Sequence, residues 1–373
     1  MSNKNSKPIK VGITGNSGFL GWHLCCFFLS HPDMEVVPFE RSFFQDQTKL
    51  ADFVKNSDVI VHLAGLNRGG DSEIYETNTG LTKNLINACE KAGASPFIIY
   101  SSSTHVHRDT TYGRSKRDSG ELLRDWAQRN SAKTANLIFP NIFGEFANPL
   151  YNSAVATFCY QLAHREKSEV NKEAVLPLIY AQDAARIIYN LICNPQCGDI
   201  AVESQEVKVG ELYDTLTSFR DDYFRNVFPR FKSDLEYNLF ATLLSYLWIE
   251  NFPVKLGERK DERGSLFEIA GSHQGGHVFF SFTEPGMTRG NHYHTRKIER
   301  FCVIKGEAEI RIRRLFTKEV SVYKVSGDNP VFIDMPRFCA HNITNIGKEP
   351  LVTLFWINEI FNADDPDTYR EVV

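Results

Sequence analysis

The feature that most constrains the fold is a β-rich run, Ile9-Lys10-Val11-Gly12-Ile13-Thr14. It leads straight into Gly15-Asn16-Ser17-Gly18-Phe19-Leu20-Gly21 and then into an apolar stretch reaching Leu29. Strand, glycine turn and helix in that order bring backbone amides up to a pyrophosphate at a helix N-terminus. Gly15, Gly18, Phe19, Leu20 and Gly21 are therefore candidates for holding a dinucleotide. The alternation continues, with strands expected at 35–39, 59–63, 97–101 and 136–139 and helices at 49–55, 81–92, 113–129 and 153–164. Such alternation implies a doubly wound parallel sheet covered by helices on both faces.

At 373 residues the chain exceeds the size of a single core, so two domains are expected. Near Pro253 and Gly257 the apolar period changes from helical to that of short alternating strands. The division is therefore placed at 1–250, an α/β nucleotide-binding domain, and 251–373, an all-β domain. A formal charge of -4 and the lack of any Lys/Arg run argue against a nucleic-acid partner. No apolar run approaches the roughly 20 residues of a membrane span, and the polar residues 1–7 do not form a signal-peptide core. A cytoplasmic protein without a membrane span is expected. The eight cysteines show no paired spacing, which suggests reduced thiols.

Two further segments of the first half carry chemistry. Tyr112 and Lys116 lie four apart on an expected helix and share a face, so the ammonium is expected to lower the tyrosine pKa. Ahead of them Ser101, Ser102 and Ser103 close a strand. After the second strand, Phe39-Glu40-Arg41-Ser42 offers both an acid for a ribose hydroxyl and an arginine for a 2′-phosphate, and NADPH through Arg41 and Ser42 is the expectation. With Asp58-Val59-Ile60-Val61-His62-Leu63-Ala64-Gly65, these segments resemble the extended short-chain dehydrogenase/reductases of the nucleotide-sugar epimerase and dehydratase group. The resemblance implies a Rossmann domain that binds its cofactor through the glycine loop, Arg41, Asp58 on the adenine side, Leu63, Ala64, Gly65, Tyr112 and Lys116. It implies a catalytic Ser103, Tyr112 and Lys116, and it puts Asn141 of Pro140-Asn141-x-x-Gly144 at the substrate. Ile138 stands where an arginine is often found, so further sugar contacts do not carry over.

The second half is organised by Gly286-x5-His292-x-His294-x4-Glu299-x6-Gly306. Alternate residues of a strand share a face, so the two imidazoles point together and Glu299 on a returning strand can face them, a first-row metal site. Pro336-Arg337-Phe338-Cys339-Ala340-His341 and Asn345 follow. The two motifs together resemble the cupins, antiparallel β-barrels, although Phe338 stands where that family has glycine. The resemblance implies His292, His294, Glu299 and His341 as ligands of zinc, with iron the alternative for the same donor set. Asp261-Glu262-Arg263-Gly264-Ser265-Leu266-Phe267-Glu268 is similar to a segment of the cupin-type deoxysugar 3,5-epimerases, which implies that Arg263 faces a nucleotide-sugar. No motif assigns His273 or His277 a role.

Taken in order, the two halves are similar to bifunctional UDP-sugar enzymes of capsular polysaccharide and O-antigen biosynthesis. That implies C3 epimerisation of a UDP-2-acetamido-2,6-dideoxy-4-ketohexose in the cupin and C4 reduction by NADPH in the Rossmann domain. The implied product is UDP-2-acetamido-2,6-dideoxy-L-talose, on the route to UDP-N-acetyl-L-fucosamine. A homodimer is expected, because barrel edges and apolar faces are commonly covered by a second copy. A rival reading, a nucleotide-binding sensory or scaffold protein with a sugar-binding cupin, would be favoured by loss of Tyr112 or Lys116, and both are present.

Overall fold

The structure, a computed structural model, describes residues 7–256, 258–261, 264–267, 269–272, 276–359 and 362–373. Arg263 and His273 lie outside the described residues. The chain forms two compact units, one of Met1–Phe143, Leu150–Ser153 and Val175–Lys208, the other of Gly144–Pro149, Ala154–Ala174 and Val209–Val373.

Up to residue 208 the elements run β1 (Ile9–Thr14), α1 (Phe19–Phe28), β2 (Met34–Val37), α2 (Gln47–Lys55), β3 (Val59–His62), α3 (Asp71–Ala92), β4 (Phe97–Ser103), α4 (Thr111–Asn130), β5 (Thr134–Phe139), β6 (Asn141–Phe143), α5 (Ala154–Ala163), β7 (Val175–Tyr180), α6 (Ala181–Cys193), β8 (Gly198–Ala201) and β9 (Gln205–Lys208). All but α5 belong to the first unit. Its main sheet has the order β2-β1-β3-β4-β5-β8 with every pairing parallel, so the doubly wound α/β expectation holds. Val11, Ile13, Ile60, Val61, Ile98 and Ile99 are fully or almost fully buried, as strands covered on both faces require. The strand order reverses between β1 and β3, which opens a crevice at their carboxyl ends where ligands bind in such sheets.

Helix α3 starts at Asp71, well before the expected residue 81. Thr77, Asn78, Thr79 and Gly80 are poor helix formers and hide the helical signal. Acids Asp71 and Glu73 in the first turn favour the helix there, and the Thr79 and Thr82 hydroxyls donate to the carbonyls of Tyr75 and Asn78.

The second unit adds α7 (Val209–Phe224), β10 (Val227–Phe228), α8 (Asp234–Asn251), β11 (Val254–Lys255), β12 (Glu258–Asp261), β13 (Gly264–Phe267), β14 (Gly271–Ser272), β15 (His277–Thr283), β16 (Thr288–Tyr293), β17 (Glu299–Lys305), β18 (Glu307–Arg314), β19 (Ser321–Ser326), β20 (Val331–Met335), β21 (Cys339–Asn345), β22 (Leu351–Ile357) and β23 (Tyr369–Arg370). Two five-stranded antiparallel sheets, β11-β20-β17-β22-β15 and β19-β18-β21-β16-β23, make the all-β cupin part. Phe301, Val303, Ile310, Ile312, Ile333, Ile343 and Phe355 pack between them, joined by Trp248 from α8.

Two fully buried ion pairs brace this unit. Arg300 and Asp334, opposed on β17 and β20, form a two-pronged pair at 2.7 and 2.8 Å, and the guanidinium lies 3.5 Å over the Phe332 ring. Arg337 donates to Glu145 at 2.8 Å through Nε. All eight cysteines are free, with Cys193 and Cys197 exposed and most of the others buried. Among the described residues no helix is long and apolar enough to cross a membrane.

Candidate functional site

In the glycine loop the Gly18 amide donates to the Gly15 carbonyl at 2.9 Å, and the Trp22 amide donates to the Gly18 carbonyl at 2.8 Å. Gly15 has φ +75°, and a Cβ there would lie 2.9 Å from the Ala64 nitrogen; a Cβ on Gly21 would lie 2.2 Å from the Gly15 oxygen. Only glycine permits this approach of the loop to the end of β3. The loop thus gathers Phe19 and Leu20, which open α1, with Leu63 and Ala64, whose amides donate to the Thr14 carbonyl and hydroxyl. Asn16 Nδ2 donates to the Phe39 carbonyl at 3.0 Å, tying the loop to the segment that follows β2. There Arg41 is exposed on a short turn, and Glu40 accepts the Ser42 hydroxyl at 3.2 Å.

Asp58 is not part of this gathering. It precedes β3, and its carboxylate accepts the Lys10 amide at 2.8 Å while its own amide donates to the Lys10 carbonyl. The four residues of β3 separate it by about 13 Å from the carboxyl edge where the loop lies. Its carboxylate orders the amino edge of the sheet, so the adenine-side expectation fails for this residue.

Ser103, at the end of β4, accepts the His105 amide at 3.2 Å, and the His105 ring lies 5.7 Å from that of Tyr112. Tyr112 stands in the first turn of α4, capped by Thr110, and Lys116 lies one turn on. The Lys116 ammonium donates to the Ser101 carbonyl at 2.8 Å, 5.8 Å from the Tyr112 ring centre and 3.7 Å from where a Gly65 Cβ would sit. Ser103, Tyr112, Lys116 and Gly65 are therefore together. The expected lowering of the tyrosine pKa is not observed: burial pushes Tyr112 up to about 12, outweighing the lowering influence of Ser103. Burial also lowers Lys116 to about 8. At neutral pH the phenol keeps its proton and can give it up to a developing alkoxide.

Asn78 escapes sequence reasoning yet sits under this group. Its side chain accepts the Leu66 amide at 2.6 Å and donates to the Leu66 carbonyl and the Ser115 hydroxyl, both at 2.9 Å; Ser115 in turn donates to the Tyr112 carbonyl. An asparagine in the middle of a helix, where it costs helix propensity, was the signal available. Buried His62, bonded to Thr14 and Thr82, is held neutral, its pKa down at about 3 through burial and Lys116. Asn141 is exposed on β6 and donates to the Pro177 carbonyl at 3.2 Å.

In the barrel, β16 pairs with β21 so that His292 opposes His341. His294 follows β16, and Glu299 opens β17. One Glu299 oxygen lies 3.3 Å from His294 Nε2, 3.3 Å from His341 Nε2 and 3.9 Å from His292 Nε2. All four donor atoms fall within 4.8 Å of one another. Ligands about 2.0–2.2 Å from one ion stand roughly 3.3–3.6 Å apart at tetrahedral corners, so these separations suit a single cation. His294 Nδ1 donates to the Asp367 carbonyl at 2.5 Å and His341 Nδ1 to the Cys339 carbonyl at 3.1 Å. That leaves both Nε2 lone pairs facing the cluster, buried and without a hydrogen-bond partner among the described residues. Burial works against the Glu299 carboxylate, but the three imidazoles outweigh it and hold its pKa well below the usual range. Burial lowers His341 to about 4. An anionic carboxylate beside imidazole lone pairs is the donor set a zinc-like ion takes.

Phe338, at the position where glycine was expected, adopts φ +59°. Its ring is fully buried and its amide donates to the His294 carbonyl at 2.8 Å. The turn keeps its left-handed form with a core side chain on it.

Residues 11–203 match the NAD dependent epimerase/dehydratase family and residues 259–369 the polysaccharide biosynthesis C-terminal domain. The chain is 32% identical over 366 residues to the UDP-2-acetamido-2,6-beta-L-arabino-hexul-4-ose reductase of Pseudomonas aeruginosa strain PA103, covering 97% of this chain and 98% of the relative. The crystal structure of the capsular polysaccharide assembling protein CapF from Staphylococcus aureus aligns with a TM-score of 0.62 at 32% identity, over 98% of this chain and 100% of that one. RMD from Pseudomonas aeruginosa, in complex with NADPH, shares the fold at 18% identity and a TM-score of 0.55, over 64% of this chain and 99% of that one. With a glycine loop and a Ser-Tyr-Lys group in one half and a His/Glu cluster in the other, the chain belongs to the NAD dependent epimerase/dehydratase family, in the CapF-type form that carries a polysaccharide biosynthesis C-terminal domain.

Proposed function

We propose that this chain is a bifunctional nucleotide-sugar enzyme that epimerises C3 of a UDP-2-acetamido-2,6-dideoxy-4-ketohexose and reduces its C4 ketone with NADPH. The product is UDP-2-acetamido-2,6-dideoxy-L-talose, a precursor of UDP-N-acetyl-L-fucosamine for capsule or O-antigen. The groups for reduction lie within residues 1–250 and those for epimerisation within 251–373, and the protein works in the cytoplasm as a homodimer. The observation that carries the reading is Tyr112 one helical turn from Lys116, whose ammonium lies 5.8 Å from the phenol ring centre and beside Gly65 at the crevice of the sheet. The reductase relative of Pseudomonas aeruginosa supports the substrate class.

NADPH bound along the Gly15–Gly21 loop supplies the hydride for C4, with Arg41 taking the 2′-phosphate. Tyr112 delivers the proton to the C4 oxygen, with Ser103 assisting from the end of β4. Lys116, fixed by the Ser101 carbonyl, places positive charge beside the site. Asn141 contacts the sugar nucleotide in the reductase half. In the barrel, His292, His294, Glu299 and His341 hold a divalent metal, zinc, whose Lewis acidity stabilises negative charge on a ketone oxygen.

The test incubates the protein with the UDP-4-ketosugar and NADPH in deuterated water, following C3 deuterium and NADPH absorbance. Tyr112→Phe is expected to slow NADPH oxidation by about 10²–10⁴-fold and to leave C3 exchange in place. NADPH oxidation near the wild-type rate in that variant would remove Tyr112 as the proton donor.

A further inference from the structure

The inner wall of the barrel holds a histidine outside the metal cluster. Register across the sheet sets Glu299 of β17 opposite Ile357 of β22, and Ile357 opposite His277 of β15. Directly opposed residues of antiparallel strands put their side chains on one face, so His277 points to the same side as the ligand Glu299. The next two rows are Phe301, Phe355, Phe279 and Val303, Thr353, Ser281.

Ring contacts agree with this register. Phe279 stacks on Phe355 at 5.1 Å, Phe355 meets Phe301 edge-on at 4.6 Å, and Phe301 lies 5.8 Å from His341. The His277 ring lies 5.7 Å from Phe279. Two strand spacings of about 4.8 Å put the His277 backbone roughly 10 Å from that of Glu299, with both side chains reaching inward.

This wall also holds polar groups that no described residue satisfies. His277 Nδ1, Ser281 Oγ and Thr353 Oγ1 are buried without a hydrogen-bond partner among the described residues. Leaving such atoms unpaired is costly, and a bound polar ligand removes that cost. Of the three, only the imidazole belongs to a side-chain type that serves as a general base.

We infer that His277 is the base that removes the C3 proton of a ketosugar bound inside the barrel. The assignment presupposes the ketosugar epimerisation proposed above. The C3–H bond breaks, its proton passes to an imidazole nitrogen of His277, and its electron pair forms the C3–C4 double bond as the C4 oxygen becomes an enolate oxygen. A proton from solvent then adds to C3 on the opposite face, the C4 carbonyl re-forms, and His277 returns its proton to the hydroxide left behind.

The experiment measures C3 deuterium incorporation from deuterated water with the metal-loaded full chain, with metal content and melting temperature determined for each variant. Both His277→Gln and His277→Ala are expected to slow exchange by about 10²–10⁴-fold at wild-type metal content and melting temperature, and added imidazole to restore exchange in His277→Ala. Val278→Ser, on the exposed outer face of the same strand, is expected to exchange like wild type. Exchange at the wild-type rate in the two His277 variants overturns the assignment alone. So does a loss of exchange accompanied by loss of metal or fold, because His277 would then be structural. A wild-type protein that exchanges nothing at C3 overturns the epimerase reading and this assignment together.

Discussion

Replacing Asp367 by alanine tests how the barrel orients its ligands. The Asp367 carboxylate accepts the Thr295 amide at 3.0 Å, the Thr295 hydroxyl at 2.5 Å, and the Arg296 and Lys297 amides at 2.9 Å each. Its backbone carbonyl accepts His294 Nδ1. Thr295 and Arg296 are partly exposed, so water can replace the carboxylate there, but Lys297 is buried and its amide would be left without an acceptor. An orphaned buried donor costs about 1–3 kcal/mol and each exchanged hydrogen bond less, roughly 2–4 kcal/mol in all. Asp367 also sits at φ +39°, a conformation aspartate tolerates better than alanine does. The carbonyl that fixes the His294 ring therefore loses its anchor, and loss of such an outer partner lowers metal affinity about 10–100-fold. Chelator competition for zinc, with urea unfolding of the metal-free protein, measures both effects. Asp367→Asn, which keeps the shape but not the charge, should fall between. A folded Asp367→Ala protein that binds zinc as tightly as wild type would refute the reasoning.

Two other perturbations test the buried charges. Burial lowers Lys116 from 10.5 to about 8, so between those pH values the unfolded chain holds a proton that the folded chain lacks; this group's contribution to stability therefore rises with pH across that window. NADPH oxidation should fall as pH rises through about 8, and a profile flat across that value would show that the ammonium is not needed. Asp334→Ala leaves the Arg300 guanidinium, 1% exposed, without its carboxylate and should cost about 3–5 kcal/mol in urea unfolding, whereas Arg300→Met with Asp334→Leu should recover most of it. An unchanged midpoint in the single variant would contradict the buried-pair account.

Local patterns were legible in the sequence and long-range pairings were not. The glycine loop and the His-x-His pair announce themselves because strand and helix periods set which neighbours share a face. Glu299 and His341 extend that pattern through antiparallel register, and the structure brings both to the imidazoles. Asp58 misled because an acid beside an apolar strand looks the same at either end of it, and only the Lys10 amide shows which edge it orders. The Tyr112 pKa was misjudged because sequence shows the neighbouring charge but not the burial. Asp367 acts through a backbone carbonyl 73 residues away from His294, and Glu145 meets Arg337 across 192 residues; neither residue type nor local spacing encodes such a contact. His277 belongs to no motif, and its place is visible only in the strand register.

The path of the chain limits how this protein can be recombined with its relatives. Residues 144–149, 154–174 and 209–251 belong to the unit that contains the barrel, and Trp248 of α8 shares an apolar cluster with Phe301 and Phe355. A junction at residue 250, where the sequence changes period, would separate α5, α7 and α8 from the strands they fold with and would expose Trp248 to water. A chimera that exchanges barrels between two such proteins has to carry these three segments along with residues 252–373.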